Sequence, residues 1–271
     1  MSSSRDTFLR ARTIVLTRAE GDNQIWRSAL EELGAKVIVV PSIRFAPAVD
    51  LGAWSDAIDR RPAITHIIFT SRHAAEHFAR QCEEDGVRLE SWSHARTAAV
   101  GDATAERMRE LGLRVDLVSP GRTGVELAEW LFAREPLGPG SIVLLPRSAI
   151  ARPELGDLLE ASGAAVLRVD LYDTCPELPE RAAELIEALD RGASIDWVVF
   201  ASPSALRGFL EVTGARGSAL LRGPPPRAVA IGPTTCREID VRGFPVAGEA
   251  AHPDIDGLIG VFERLARGSR A

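Results

Sequence analysis

The chain has 271 residues, 45% hydrophobic and 26% charged, with 23 glycines and 17 prolines. That suits a large globular domain or two small ones and excludes disordered and collagen-like classes. A net charge of −6 argues against a broad nucleic-acid or anionic-membrane surface. The longest uninterrupted apolar run, Trp197–Ala201, is far short of the ~20 residues of a membrane helix. The stretch Ser2-Ser3-Ser4-Arg5-Asp6 shows no apolar core of a secretory signal. Cys82, Cys175 and Cys236 are scattered and form no CxxC pair, which fits a reducing, cytoplasmic setting. Lys36 is the single lysine and no GxxxxGK[ST] occurs, so phosphate or carboxylate recognition must use arginine, hydroxyls and backbone amides.

In chain order, Thr13–Thr17 reads as a short buried strand. A helix should follow with Ile25, Trp26, Ala29, Leu30 and Leu33 on its apolar face and Gly34 as its stop. Val37–Val40 is a second strand. Further strand-like runs are Thr65–Phe69, Thr97–Val100, Ser141–Leu145, Val166–Val169, Trp197–Phe200 and Ala228–Ile231, with amphipathic helices between them. This alternation predicts an α/β fold with largely parallel sheets.

The pattern repeats. Phe69-Thr70-Ser71 returns 131 residues later as Phe200-Ala201-Ser202, and Ala99–Thr104 as Ala230–Thr235 at the same offset. Gly112 with Gly243 and Leu127 with Leu258 keep that spacing. Ile14–Leu16 matches Ile142–Leu144, Arg18 matches Arg147, Leu30 matches Leu159 and Gly34 matches Gly163, at offsets of 128 or 129. The chain therefore reads as two copies of one α/β unit. A cut near Gly138-Pro139-Gly140 would make two contiguous domains; an exchange of the first strand and helix between copies would make discontinuous ones. Periodicity leaves both open.

In open parallel sheets, ligands bind beyond the carboxyl ends of strands, where helix starts expose unpaired N–H groups. Small hydroxyls mark those junctions here: Thr70-Ser71, Gly101 to Thr104, Ser202 to Ser204, Thr234-Thr235, and the turn Ser119-Pro120-Gly121-Arg122-Thr123. Any one of them is an ordinary N-cap. Matched junctions across two repeats point instead to two facing anion-binding rims. Arg18 and Arg147, each just after the first strand of a copy, are candidate carboxylate partners. Tyr172, the only tyrosine, is equally readable as an aromatic plug or as a proton donor to a ligand. His73-Ala74-Ala75-Glu76-His77 spells HxxEH, a zinc-site spacing, but lacks a third ligand and has no counterpart in the other repeat. It reads as a solvated helix face, with no metal bound. No GxSxG elbow or dinucleotide-binding glycine loop occurs. The residues by themselves describe a two-domain α/β protein that binds a polyanion in a cleft.

From about Thr13 to Leu265 the chain resembles the uroporphyrinogen-III synthase family. The resemblance rests on Leu16-Thr17-Arg18, Ile68–Ser71, Val100–Thr104, Leu144–Arg147 running on to Arg152, Leu171–Thr174, Phe200–Ser204 and Ala230–Thr235, in that order and spacing. It implies two similar parallel-sheet α/β domains, related by the internal repeat with first strand and helix exchanged, and joined by a two-stranded linker. Residues 1–37 and 174–271 would form one discontinuous domain and residues 43–166 the other, with linker strands at 36–45 and 166–174. It also implies an enzyme of tetrapyrrole (haem) biosynthesis, a hydro-lyase that cyclises hydroxymethylbilane to uroporphyrinogen III with loss of water and inversion of ring D. No cofactor is implied. The partner would be the small-molecule tetrapyrrole, with no nucleic acid or membrane, and the protein would be a cytoplasmic monomer. Tyr172 matches the family tyrosine that assists departure of the ring-A hydroxyl. Ser71 and Thr104 match cleft positions of one domain, and Ser202, Thr234 and Thr235 those of the other. Arg72-His73 stands where many relatives carry proline and a small or polar residue. A synthase-like module that binds a tetrapyrrole for regulation, without catalysis, is the alternative.

Overall fold

The structure, a computed structural model, describes residues 7–48, 51–121, 123–135, 137–225 and 227–268. Residues 2–6 and Arg122 lie outside the described residues. The chain runs β1 (Thr13–Leu16), α1 (Gln24–Glu32), β2 (Lys36–Val39), β3 (Ile43–Pro47), α2 (Gly52–Asp59), β4 (His66–Phe69), α3 (Arg72–Glu84), β5 (Arg96–Val100), α4 (Gly101–Glu110), β6 (Leu117–Ser119) and α5 (Gly124–Phe132). It continues through β7 (Ile142–Ser148), α6 (Glu154–Ala161), β8 (Ala165–Pro176), α7 (Ala183–Asp190), β9 (Trp197–Phe200), α8 (Pro203–Arg222), β10 (Ala228–Ala230), α9 (Pro233–Val241), β11 (Val246–Glu249) and α10 (Ile255–Gly268). Two compact units result, one of Met1–Phe45 with Cys175–Ala271, the other of Ala46–Thr174. The division does not fall at Gly138–Gly140.

The first unit holds a five-stranded sheet in the order β11-β10-β9-β1-β2, with every neighbouring pair parallel. Val15 lies opposite Ile38 on one side and Val198 on the other. Side chains alternate across a strand, so Val15, Ile38, Val198 and Phe200 pack with Leu206, Phe209 and Ile239 on one face. Ile14, Leu16, Val37 and Val199 pack with Trp26, Leu30 and Phe262 on the other. Burial on both faces explains why these strands are continuous apolar runs. Asp196 fixes the start of β1 by accepting from Thr13 N at 2.8 Å and from Arg12 Nη1 at 2.8 Å. Thr17 Oγ1 donates to the Val199 carbonyl at 2.6 Å.

In α1 the buried stripe is Trp26, Leu30 and Leu33, and Gly34 ends the helix at φ +91°. Ile25, expected on that stripe, is 75% exposed. At about 100° per residue it falls beyond Ala29, outside the arc that the sheet covers.

A second sheet, most of it in the second unit, runs in the order β3-β8-β7-β4-β5-β6, and β8 through β6 are parallel. Ile68, Ala98, Val143 and Leu145 pack beneath Leu127, Leu131, Leu155 and Leu159 of α5 and α6. Elsewhere in the unit, Phe78 stands edge-on to Phe69, Trp54 and Trp92 at centroid distances of 5.2–5.6 Å. Trp54 Nε1 donates to Asp85 Oδ2 at 2.6 Å. No helix is long and apolar enough to cross a membrane, among the described residues.

Candidate active site

In the second unit, β4 ends at Phe69 and the chain turns through exposed Thr70 into Ser71, the N-cap of α3. Ser71 Oγ accepts from Ala74 N at 3.1 Å, satisfying one of the orphan amides of the first turn. The same oxygen lies 3.2 Å from the hydroxyl of Tyr172. Tyr172 comes from the long strand β8 and is 5% exposed. Either hydroxyl can donate in this contact, since Ser71 Oγ keeps a second lone pair beside the one that Ala74 N occupies. Tyr172 thus has a polar partner at its hydroxyl.

One face of that phenol is covered by His77. The imidazole stacks on the tyrosine ring with centroids 4.5 Å apart and planes inclined by 14°. This corrects the solvated-face reading of HxxEH. The spacing does put His73 and His77 on one side of α3, but each has a different task. His73 Nδ1 is 2.9 Å from Glu76 Oε2, and Glu76 Oε1 accepts from Arg107 Nε of α4 at 2.7 Å. His77 belongs to the tyrosine.

Burial raises the Tyr172 pKa above the usual phenol value, opposed by the Ser71 hydrogen bond and reinforced by the Glu76 charge. Burial also lowers His77, with His73 and Arg80 acting in the same direction. At neutral pH the pair is therefore a protonated phenol, a weaker acid than a free one, against an uncharged imidazole.

Thr70, the neighbour of Ser71, lines a concavity of about 170 Å³ whose walls also include Thr123, Arg147, Arg152 and the first residues of α5 and α6. It brings together three of the residues singled out from sequence. Arg147 is less available than its position suggested: its Nε donates to Asp170 Oδ1 at 2.7 Å. Thr123 is likewise engaged. It forms a capping box with Glu126, accepting from Glu126 N at 3.2 Å while Thr123 N donates to Glu126 Oε2 at 3.1 Å. Gly101 opens α4 at φ +72° with open space where a Cβ would stand, and Thr104 is buried in the first turn behind it.

In the first unit, Ser202 caps α8 as Ser71 caps α3, accepting from Ala205 N at 3.1 Å. Ser204 accepts from Arg207 Nη2 at 3.2 Å. Gly232 precedes α9 in an extended conformation, again with open space where a Cβ would stand. Thr234 is half-buried and Thr235 is buried. Arg18 does not project freely from the end of β1. Its guanidinium lies over the Trp26 ring, 4.3 Å from the centroid, with Asp22 Oδ2 3.7 Å away.

The family model for uroporphyrinogen-III synthase HemD matches residues 25–260. The chain belongs to the uroporphyrinogen-III synthase family. A uroporphyrinogen-III synthase of Synechococcus elongatus is 28% identical, over 96% of this chain and 97% of its own length. Two solved structures share the fold. The first is a mutant uroporphyrinogen III synthase of Thermus thermophilus, with TM-score 0.61 and 20% identity over 95% of this chain and 100% of that one. The second is a uroporphyrinogen-III synthetase of Helicobacter pylori, with TM-score 0.60 and 16% identity over 94% and 99%. Beyond the residues that the family resemblance indicated, the structure adds His77 and Asp170. The capping-box spacing of Thr123 and Glu126 was readable in the sequence as a reason to expect that threonine to be occupied.

Proposed function

We propose that this protein cyclises hydroxymethylbilane to uroporphyrinogen III, with Tyr172 donating the proton that lets the ring-A hydroxyl leave as water. The observation that carries the reading is the buried, protonated phenol held 3.2 Å from Ser71 Oγ in a chain of this family. A positioned acid of this kind is worth about 10²–10⁴-fold in rate. The linear substrate closes by itself to the wrong isomer, so the larger task is to hold ring D in the orientation from which its substituted carbon attacks. The substrate's acetate and propionate groups are assigned to the helix starts at Thr70, Ser71, Gly101, Thr104 and Thr123 in one unit and at Ser202, Ser204, Thr234 and Thr235 in the other. Arg147 and Arg18 supplement them. Helix amino termini favour anions.

The two units are further read as copies of one α/β unit that exchanged their first strand and helix. The sheet orders β11-β10-β9-β1-β2 and β6-β5-β4-β7-β8 support this, because β7-β8 repeat β1-β2 and β9-β10-β11 repeat β4-β5-β6. The passages from β2 into β3 and along β8 would be the linker. A cytoplasmic monomer with the tetrapyrrole as its partner completes the proposal.

Turnover of freshly prepared hydroxymethylbilane, scored as isomer III against isomer I, tests it. Isomer III in excess is the expected result. Tight tetrapyrrole binding with only the spontaneous isomer I would overturn the catalytic reading in favour of a binding module.

A further inference from the structure

The proposed acid leaves one aromatic contact unexplained. The His77 ring lies nearly parallel to the phenol, with centroids 4.5 Å apart. A tyrosine hydroxyl oxygen moves in an arc when the ring swings about the Cα–Cβ bond, whereas rotation about Cβ–Cγ leaves the oxygen in place and turns the ring plane with its in-plane O–H bond, so a hydrogen bond at the tip does not by itself fix the plane. Two constraints are needed. Ser71 Oγ holds the tip, and that oxygen is itself held by the α3 cap. The flat face of His77, further along α3, holds the plane.

Both constraints therefore come from a single rigid helix, whereas Tyr172 comes from β8. The helix itself is anchored, with Phe78, the next residue, fully buried among Phe69, Trp54 and Trp92. On the opposite flank, Glu76 is tied to Arg107 of α4. The position of His77 is thus set by core packing, not by the tyrosine it touches.

We infer that His77 is a positioning residue for Tyr172, an aromatic platform that keeps the phenol directed at the leaving hydroxyl. The inference rests on the reading of Tyr172 as the acid. Its chemical requirement is a flat, uncharged ring, so phenylalanine should replace histidine and alanine should not. A ring freed on one face would turn its in-plane O–H bond away from the substrate and gain room to swing about Cα–Cβ, and misplacement by about 1 Å costs up to about 10²-fold.

Because Tyr172 is the only tyrosine in the chain, the near-ultraviolet absorbance of tyrosinate reports this residue alone. The full-length protein would be titrated as wild type, His77→Ala and His77→Phe, alongside kcat and KM for hydroxymethylbilane, with Tyr172→Phe as the reference. His77→Ala should admit water to the phenol and shift its ionisation to lower pH. It should also lower kcat about ten- to a hundredfold with little change in KM. His77→Phe should return the titration toward wild type and recover most of kcat. An unchanged titration in His77→Ala would overturn the inference, as would a kcat loss that phenylalanine fails to rescue in a protein with wild-type unfolding behaviour. A shifted titration with full kcat, in an enzyme that Tyr172→Phe cripples, would also overturn it. If Tyr172→Phe is itself unimpaired, the acid assignment falls, while the titration still reports whether His77 packs as described.

Discussion

Arg147 and Asp170 are register partners across the β7–β8 pair, and the arginine Nε donates to the carboxylate at 2.7 Å. The guanidinium assigned to a substrate carboxylate therefore already holds one, and an arriving propionate must compete with it. Arg147→Ala should raise KM with kcat nearly unchanged, the pattern of lost uniform binding. Asp170→Asn should lower KM by removing the competitor. The pair is partly exposed, so either change should alter unfolding free energy by less than about 1 kcal/mol. Steady-state kinetics and urea unfolding of both variants decide it; an Asp170→Asn enzyme with a raised KM would mean that Asp170 holds Arg147 in its working position.

Ser71 and Ser202 make the same cap, each within its own unit, and Ser71 Oγ also lies 3.2 Å from the Tyr172 hydroxyl. Replacing either by alanine should cost about 0.5–2 kcal/mol of stability. Ser71→Ala should in addition reduce kcat, by about tenfold, since a hydrogen bond to the phenol is lost. Ser202→Ala should act on KM. Tyr172→Phe should reduce kcat by about 10²–10⁴-fold with KM little changed. Equal kcat values for the two serine variants would remove Ser71 from the description of the acid.

Gly101 and Gly232 both open onto space with nothing within 4 Å of a prospective Cβ, yet only Gly101 has a positive φ, +72°. Gly101→Ala should thus lose about 1–2 kcal/mol from backbone strain. Gly232 is extended, a conformation open to any residue, and Gly232→Ala should leave stability within about 0.5 kcal/mol. If carboxylates approach the backbone at the start of α9, the added methyl should nevertheless lower kcat/KM several-fold. An active, stable Gly232→Ala enzyme with wild-type kcat/KM would exclude close approach there.

The pH dependence of stability should carry a histidine component. Burial is the first cause of the lowered pKa of both His66 and His77. The unfolded chain takes up these protons near pH ~6.5, before the folded protein does. Their contribution is therefore present above about pH 6.5 and is lost as the pH falls through the depressed folded values. Urea midpoints should be flat from about pH 7 to 8 and decline below about 6.5, well above the range in which carboxylates titrate. His77→Phe should make that decline shallower. Parallel curves for the two proteins would show that His77 does not contribute.

Much of this protein was legible in its sequence. Strands buried on both faces must be apolar throughout, so β1, β4, β9 and β10 announced themselves as short runs such as Ile14–Leu16 and Trp197–Phe200. Ser71 and Ser202 were recognisable as helix starts because capping chemistry is local, decided within three residues. The 131-residue repeat was visible for the same reason, since like elements need like residues.

What the tertiary structure decided was everything that depends on which like element meets which. β1 and β7 carry similar apolar runs, Ile14–Leu16 and Ile142–Leu144, so pairing β1 with β9 or with β4 would bury similar surfaces. Only the assembled sheets place Ile14 beside Trp197 and His66 beside Val143. The local motifs met the same limit. HxxEH fixes two histidines on one side of a helix, but nothing within α3 specifies that β8 will bring Tyr172 onto His77 and Ser71. The Arg147–Asp170 pair likewise follows from strand register. Helical and strand periods encode what faces inward; they carry no information about which distant side chain arrives there, because that is set by the packing of whole elements.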